Sequence, residues 1–154
     1  MKGNPDILVT LNKLLAEELT AINQYMVHSE MCDNWGYEHL HKSIEKQAIE
    51  EMKHAEALIQ RILFLEGSPT VSRLNAINIG KDVREMVAND QAAETQAVHS
   101  YNEAIRQAVA VSDDGTRDLL TRILKDEEAH VDWEEQQRDQ IEQMGLENYL
   151  TTKA

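Results

Sequence analysis

Two Glu-x-x-His pairs, each preceded at the same distance by a lone glutamate, are the residues of this chain whose types and spacing could bind metal ions. The pairs are Glu51 with His54 and Glu127 with His130, and the lone acids are Glu18 and Glu94. The lone acid lies 33 residues before the glutamate of the pair in both halves (51 − 18 and 127 − 94). Carboxylates combined with imidazole, without thiolate, suit iron or manganese better than a structural zinc ion. The pattern therefore predicts one site to which four segments contribute ligands.

Each of these segments has the hydrophobic period of a long helix. Asn4 and Pro5 are typical of a helix N-cap and first helical position, and Gly67 is a suitable left-handed residue after the second helix. Gly145 is expected to end the fourth helix, and a short helix over Leu146 to Leu150 can follow. The four long helices are predicted at about residues 5–33, 38–66, 82–111 and 116–144.

The segment of residues 67–81 has no helical period and is long for a connection between helices. Extended, its fifteen residues reach roughly 50 Å at about 3.3 Å per residue. The second helix is about 43 Å long at 1.5 Å per residue. The segment can therefore cross the whole bundle, so that the third helix starts at the same end as the second. The prediction is an all-α four-helix bundle with one long crossover and a short fifth helix, in a single domain over residues 1–154. This layout, together with the six candidate ligands, resembles ferritin-like bundles.

The six candidate ligands lie on helix faces that should be apolar. A single Glu-x-x-His pair is usually a solvated surface feature, and a lone inward glutamate is usually partly exposed at a bundle end. Four carboxylates buried together would repel one another, and two histidines cannot neutralise them all. Two divalent cations remove this conflict, so metal binding is favoured. In the predicted arrangement Glu51 and Glu127 bridge both ions. Glu18 and His54 complete one coordination shell, and Glu94 and His130 complete the other.

Aromatic residues near the candidate ligands have two interpretations. Tyr25 lies on the same helix face as Glu18 and could donate its hydroxyl group to a ligand carboxylate. An ordinary buried tyrosine is an equally good interpretation of Tyr25. For Tyr101 and Trp133, ordinary packing is the favoured interpretation.

Composition excludes several classes of function. The formal net charge of −13 argues against unaided electrostatic binding of nucleic acid and favours surfaces or cavities that attract cations, although solubility alone could explain it. Cys32 is the single cysteine, so no intrachain disulfide can form, and no CxxC motif is present. The first residues lack a signal-peptide core, and no apolar run is long enough to span a membrane. We expect a cytoplasmic protein that binds neither nucleic acid nor membrane.

A second apolar face is predicted on the first two helices. Met52 follows a ligand directly, so it points about 100° away from the metal-facing side. Ile49, Ile59 and Leu63 share its face, and Leu19 and Met26, with Asn23 between them, form a similar strip on the first helix. Two apolar faces on one helix imply that a second chain covers one of them. Packing in a dimer interface is the favoured interpretation of Met52, although a thioether can also be an axial haem ligand.

The chain resembles the bacterioferritin family over essentially its whole length. The resemblance rests on LNKLLAEELTAINQY (11–25), EEMKHAE (50–56), RILFLEG (61–67), DEEAHVDWEEQ (126–136) and MGLENYL (144–150). The second Glu-x-x-His pair distinguishes it from classical ferritins, and the methionine after Glu51 distinguishes it from most other di-iron bundles.

This resemblance implies a function and a set of cofactors. The family forms shells of 24 subunits, built from two-fold dimers, that oxidise Fe²⁺ at a di-iron site in each subunit and store ferric mineral. It implies that the six candidate ligands form the ferroxidase site and that Met52 and its two-fold mate bind haem b. A ferredoxin-like reductase is a possible partner. The implied haem pocket consists of Leu19, Ile22, Asn23, Met26 and Ile49.

The sequence departs from well-studied family members at a few positions. Leu58 replaces a tyrosine that some members have near the di-iron site. Lys46 and Glu50 replace the His and Asp of an inner-surface iron site in some members. These differences affect the path of iron and electrons into the cavity and leave the predicted oxidation site intact.

Three functions from different classes compete. The leading hypothesis is an iron-storage ferroxidase that uses O₂ or H₂O₂ as oxidant and assembles as a homo-oligomer. The alternative is a non-storage di-iron oxidase or peroxidase of the rubrerythrin type, against which the missing CxxC site counts. The third is a structural or haem-binding shell subunit with little turnover, against which the intact ligand set counts. Particle size separates the first hypothesis from the second, and the rate of ferrous oxidation separates the first from the third.

Overall fold

The computed structural model describes residues 1–154 and contains helices only, which confirms the predicted fold class. A crossover of residues 65–82 connects the second helix to the third, and none of the helices is both long and apolar enough to cross a lipid bilayer. The helices are α1 (Pro5–Asn34), α2 (Glu38–Phe64), α3 (Val83–Ala110), α4 (Asp114–Met144) and α5 (Leu146–Thr151).

Side-chain caps fix the first residues of three helices. Asn4 Oδ1 accepts hydrogen bonds from the backbone N–H groups of Asp6 and Ile7 before α1, as the sequence predicted. Asp82 caps α3 in the same way. The predicted start of α4 at Thr116 was two residues late. Asp113 is the N-cap residue and accepts from Thr116 N–H at 3.0 Å, so α4 begins at Asp114.

The end of α2 differs from the prediction. The helix ends at Phe64, and the left-handed residue after it is Glu66, with φ 61°, instead of Gly67. The N–H of Gly67 donates to Ile62 C=O at 2.9 Å, which is the bond expected two residues after the helix cap. Gly67 meets a different requirement: a Cβ atom there would lie 2.6 Å from Leu8 Cδ2, so glycine permits close approach of the chain to α1.

The crossover runs along α1, so α3 starts at the same end of the bundle as α2. Side chains on one face of α1 accept hydrogen bonds from crossover N–H groups at 2.8–3.0 Å. The donor–acceptor pairs are Thr70 to Asn12, Asn75 to Thr20, Asn78 to Gln24 and Gly80 to His28. These bonds satisfy crossover N–H groups that have no helical partner.

A polar layer divides the apolar core into two parts. One apolar cluster, which includes Ile7, Leu11 and Ile62, lies where α1 begins. The other, which includes Cys32 and Leu40, lies where α1 ends. Between them lies this polar layer of buried carboxylates and histidines, which consists of Glu18, Glu51, His54, Glu94, Glu127 and His130. Because a buried charge is costly unless it is paired, this layer is where the structure must hold compensating charge.

Candidate metal centre

The polar layer contains all six candidate ligands. Each is at most 5% exposed, and together they come from the four long helices. Their ligand atoms form two overlapping groups, in each of which the atoms lie within 4.8 Å of one another. The groups are Glu18–Glu51–His54–Glu127 and Glu51–Glu94–Glu127–His130. Because Glu51 and Glu127 belong to both groups, the layer can hold two cations that share these two carboxylates.

Both histidines direct Nδ1 into the layer. His54 Nδ1 lies 2.8 Å from Glu127 Oε1, and His130 Nδ1 lies 2.9 Å from Glu51 Oε1. His54 Nδ1 and Glu127 Oε1 are not aligned for a hydrogen bond, and neither atom has another partner. Glu51 Oε1 has no hydrogen-bond partner either. The ligand atoms of a cation lie close together without being hydrogen-bonded to one another, as these atoms do. Oxygen and imidazole donors without sulfur suit iron or manganese.

The outward nitrogen of each histidine contacts an acidic residue from the opposite half of the chain. His54 Nε2 lies 2.9 Å from Asp126 Oδ2, and His130 Nε2 lies 2.5 Å from Glu50 Oε2. Such a contact fixes the ring and leaves the Nδ1 lone pair free for a metal ion. The sequence analysis did not identify Asp126 and Glu50 in this role. Their positions could have indicated it, because Glu50 directly precedes Glu51 and Asp126 directly precedes Glu127, the two glutamates shared by both groups.

Two buried tyrosines contact the lone glutamates in the same crossed manner. Tyr25 donates to Glu94 Oε1, and Tyr101 donates to Glu18 Oε1, both at 2.5 Å. Ordinary packing was the favoured interpretation of Tyr101, so its contact with a candidate ligand corrects that expectation. Each tyrosine follows the lone glutamate of its own half by seven residues (25 − 18 and 101 − 94), a spacing that would have identified both.

Burial and hydrogen bonding act in opposite directions on several pKa values in this layer. Burial, followed by the charges of neighbouring glutamates, raises the pKa of Glu51 and Glu127 well above 4.5. Burial opposes charge on His130, but hydrogen bonding to Glu94 prevails and raises its pKa to about 9. The pKa of Glu94 is lowered, because hydrogen bonds from Glu127, His130 and Tyr25 outweigh its burial. The layer therefore holds protons in the absence of metal, and dications would displace them.

Three further buried polar residues lie beside the layer. Gly80 N–H donates to His28 Nε2, so Nδ1 carries the hydrogen and donates to Asp90 Oδ1 at 2.9 Å. Glu134 is 1% exposed, and neither of its carboxylate oxygens has a partner. Burial, followed by the charges of Asp90 and Glu94, raises the pKa of Glu134 well above 4.5. The sequence analysis assigned no role to these residues.

The second apolar face is present on α1 and α2 but is smaller than predicted. Met26, Ile49, Met52 and Leu63 are between 42% and 58% exposed. Ile59, which was expected on this face, packs partly against the core, as do the predicted haem-pocket residues Leu19 and Ile22. Asn23 is exposed, and its side chain donates to Leu19 C=O at 2.9 Å. Leu58, by contrast, is completely buried in the core.

Comparison with known proteins gives consistent matches over nearly the whole chain. The sequence profile of the ferritin-like domain family matches residues 8–144. A protein named bacterial ferritin from Synechocystis sp. is 43% identical over 154 residues, which are 99% of each chain. Bacterioferritins from Mycobacterium avium and Brucella melitensis are 40% and 38% identical over 149 residues. These cover 97% of this chain and 94% and 92% of the relatives.

Proposed function

Because the chain belongs to the bacterioferritin family of ferritin-like proteins, we propose that it stores iron and oxidises Fe²⁺ in its buried polar layer. The observation that carries this proposal is the pair of overlapping ligand groups sharing Glu51 and Glu127. Four carboxylates balance the charge of two ferrous ions. The two histidines alone could not neutralise the four carboxylates, which supports the binding of two cations per chain.

The proposed reaction takes one electron from each of two ferrous ions. O₂ would accept two electrons and two protons to give H₂O₂, or H₂O₂ would accept them to give two molecules of water. Glu18 and His54 would bind one ferrous ion and Glu94 and His130 the other, with Glu51 and Glu127 shared. Hard carboxylate donors favour the ferric product. That product would then pass into the cavity of a homo-oligomeric shell, for which 24 subunits are proposed.

Replacement of a shared ligand tests the proposal. Glu51→Ala should abolish rapid ferrous oxidation, measured by stopped-flow absorbance of the ferric product, because it removes a donor from both positions. The matched control is Glu135→Ala, which truncates an exposed glutamate on α4. Helix content should be unchanged in both, since the apolar core is untouched. Initial rates equal to wild type in Glu51→Ala would contradict the site assignment.

The exposed face around Met52 is compatible with haem b. The Met52 thioether lies one helical turn after Ile49 on α2, both residues are more than 40% exposed, and a thioether there would be a soft ligand for the haem iron. A two-fold mate would supply the second thioether, and bound haem would supply a one-electron redox centre there. We propose Met52 as the ligand and Leu19, Ile22, Asn23, Met26 and Ile49 as the pocket.

The haem proposal has its own test. Met52→Leu should remove the haem Soret band from purified protein and leave ferrous oxidation intact, because Leu preserves most of the apolar volume. An unchanged Soret band would exclude Met52 as the ligand. A ferredoxin-like reductase and a cytoplasmic location remain proposals of the same kind.

A further inference from the structure

A cavity of ≈ 270 Å³ connects the candidate metal centre with the surface between α1, α3 and the crossover. Its inner end is lined by Glu18, Glu51, Glu94 and Glu127. Asn75 and Gln96, both exposed, line it toward solvent. The charged residues in its wall are five glutamates, and no lysine, arginine or histidine lines it. A cleft lined by one sign of charge concentrates ions of the opposite sign, so this cavity attracts cations.

Glu17 is the fifth glutamate and belongs to neither group of candidate ligands. Its Oε1 accepts a hydrogen bond from Ser100 Oγ at 2.8 Å, which orients the carboxylate. Its Oε2 is buried and has no partner. Glu17 also lines a second cavity, of ≈ 280 Å³, that lies farther along α1 and α3 beside Arg73. A buried carboxylate oxygen without a hydrogen-bond partner in the protein is costly, and a cation passing through the cavity would satisfy it.

The unpartnered oxygens of the inner glutamates continue this path. Oε2 of Glu18 and Oε2 of Glu94 are also buried without partners, in residues that are 2% and 1% exposed. Both residues line the cavity. Glu17 and two of the candidate ligands thus each have a free carboxylate oxygen and line the same cavity.

We propose that Glu17 is a transit ligand that binds a divalent cation in this cavity before the cation reaches the buried polar layer. The inference rests on the proposed function and names the path by which that site is filled. Because Glu17 is not part of the final coordination groups, its removal should slow filling and leave the final number of bound ions unchanged.

The test is anaerobic binding of Co²⁺, which gives a visible absorbance on coordination and does not depend on oxidation. Glu17→Gln, in the assembled protein, should slow Co²⁺ binding about tenfold at low ionic strength, with two ions bound per chain at the end as in wild type. Ala92→Lys should slow it as well, since Ala92 is an exposed residue of the cavity wall and a lysine would repel the ion. The matched control is Glu142→Gln, an exposed glutamate on α4 that does not line the cavity.

Each result has a definite meaning. Slower binding in both variants, with wild-type rate in the control, supports the proposal. Unchanged rates in Glu17→Gln and Ala92→Lys overturn it. A loss of bound Co²⁺ in Glu17→Gln also overturns it, because Glu17 would then be a final ligand. Failure of wild type to bind two Co²⁺ ions would instead contradict the proposed function.

Discussion

At the scale of single residues, the candidate metal centre is built from reciprocal contacts between the two halves of the chain. Each half contributes a tyrosine to the lone glutamate of the other half and an acidic residue to the histidine of the other. Sequence spacing predicted the six ligand candidates because four helices place them on inward faces. It could not predict which partners they meet, since those contacts depend on how the helices are paired in space. Ordinary packing was an equal interpretation for Tyr25 and the favoured one for Tyr101, yet the two tyrosines occupy equivalent positions in this arrangement.

Glu134 is the residue whose burial has no visible compensation, and its replacement should stabilise the metal-free protein. Burial raises the pKa of Glu134 above 4.5, so the folded chain binds its proton more tightly than the unfolded chain does. The free energy of unfolding therefore decreases as pH rises above 4.5. Glu134→Gln removes this loss. We expect the free energy of unfolding to increase by about 1–3 kcal/mol at pH 8 and by less at pH 5.

Calorimetric melting of metal-free protein at both pH values measures this effect. Glu135→Gln is the control, because Glu135 is the exposed neighbour on the same helix. Melting temperatures of Glu134→Gln that match wild type at pH 8 would show that the carboxyl group has a partner in solution.

At the scale of secondary structure, the hydrophobic period predicted the existence and order of all five helices. Element ends were less accurate because they depend on local contacts. Asp113 begins α4 earlier than expected through its cap, and Glu66 adopts the left-handed conformation that was assigned to Gly67. Glycine at 67 allows close approach to Leu8, a residue 59 positions away (67 − 8), and a sequence pattern does not reveal such a contact.

Gly80 provides a test of how tightly the crossover is joined to α3. A Cβ atom at this buried position would lie 2.4 Å from Met86 N and 2.8 Å from Glu85 C, and a helix backbone cannot move aside as a side chain can. Gly80→Ala should lower the free energy of unfolding by about 1–3 kcal/mol. Gly36→Ala is the comparison: its φ of 85° is unfavourable for alanine, but nothing lies within 4 Å of the added atom. If urea unfolding gives the same free energy of unfolding for Gly80→Ala as for wild type, the predicted clash is contradicted.

At the scale of the whole molecule, the exposed apolar face predicts association. Met26, Ile49, Met52 and Leu63 lie outside the bundle core and are about half exposed, so burying the remainder of each is worth roughly 1 kcal/mol. A two-fold interface would bury each of them twice. We therefore expect no stable monomer at micromolar concentration.

A charge on this face should prevent assembly. Ile49→Lys would have to bury an ammonium group in the interface, so we expect a dimer or smaller species. Lys53→Ile, which removes an exposed charge on the same helix, is not expected to reduce the size of the assembly. Light scattering measures the mass of each. A wild-type mass near the chain's own 17.6 kDa would exclude the shell and favour a non-storage di-iron enzyme.

The crossover has a consequence for amide hydrogen exchange. Four of its N–H groups donate to α1 side chains, so protection should be concentrated at separate positions along a segment without regular secondary structure. We expect slow exchange at Thr70, Asn75, Asn78 and Gly80 and fast exchange between them. Since Asn75 and Asn78 also line the cavity, exchange rates at these two amides report directly on whether that wall opens on the timescale of seconds to hours. A wall that stays closed on this timescale would leave the existing cavity as the path for an ion, with no need for the crossover to unfold locally.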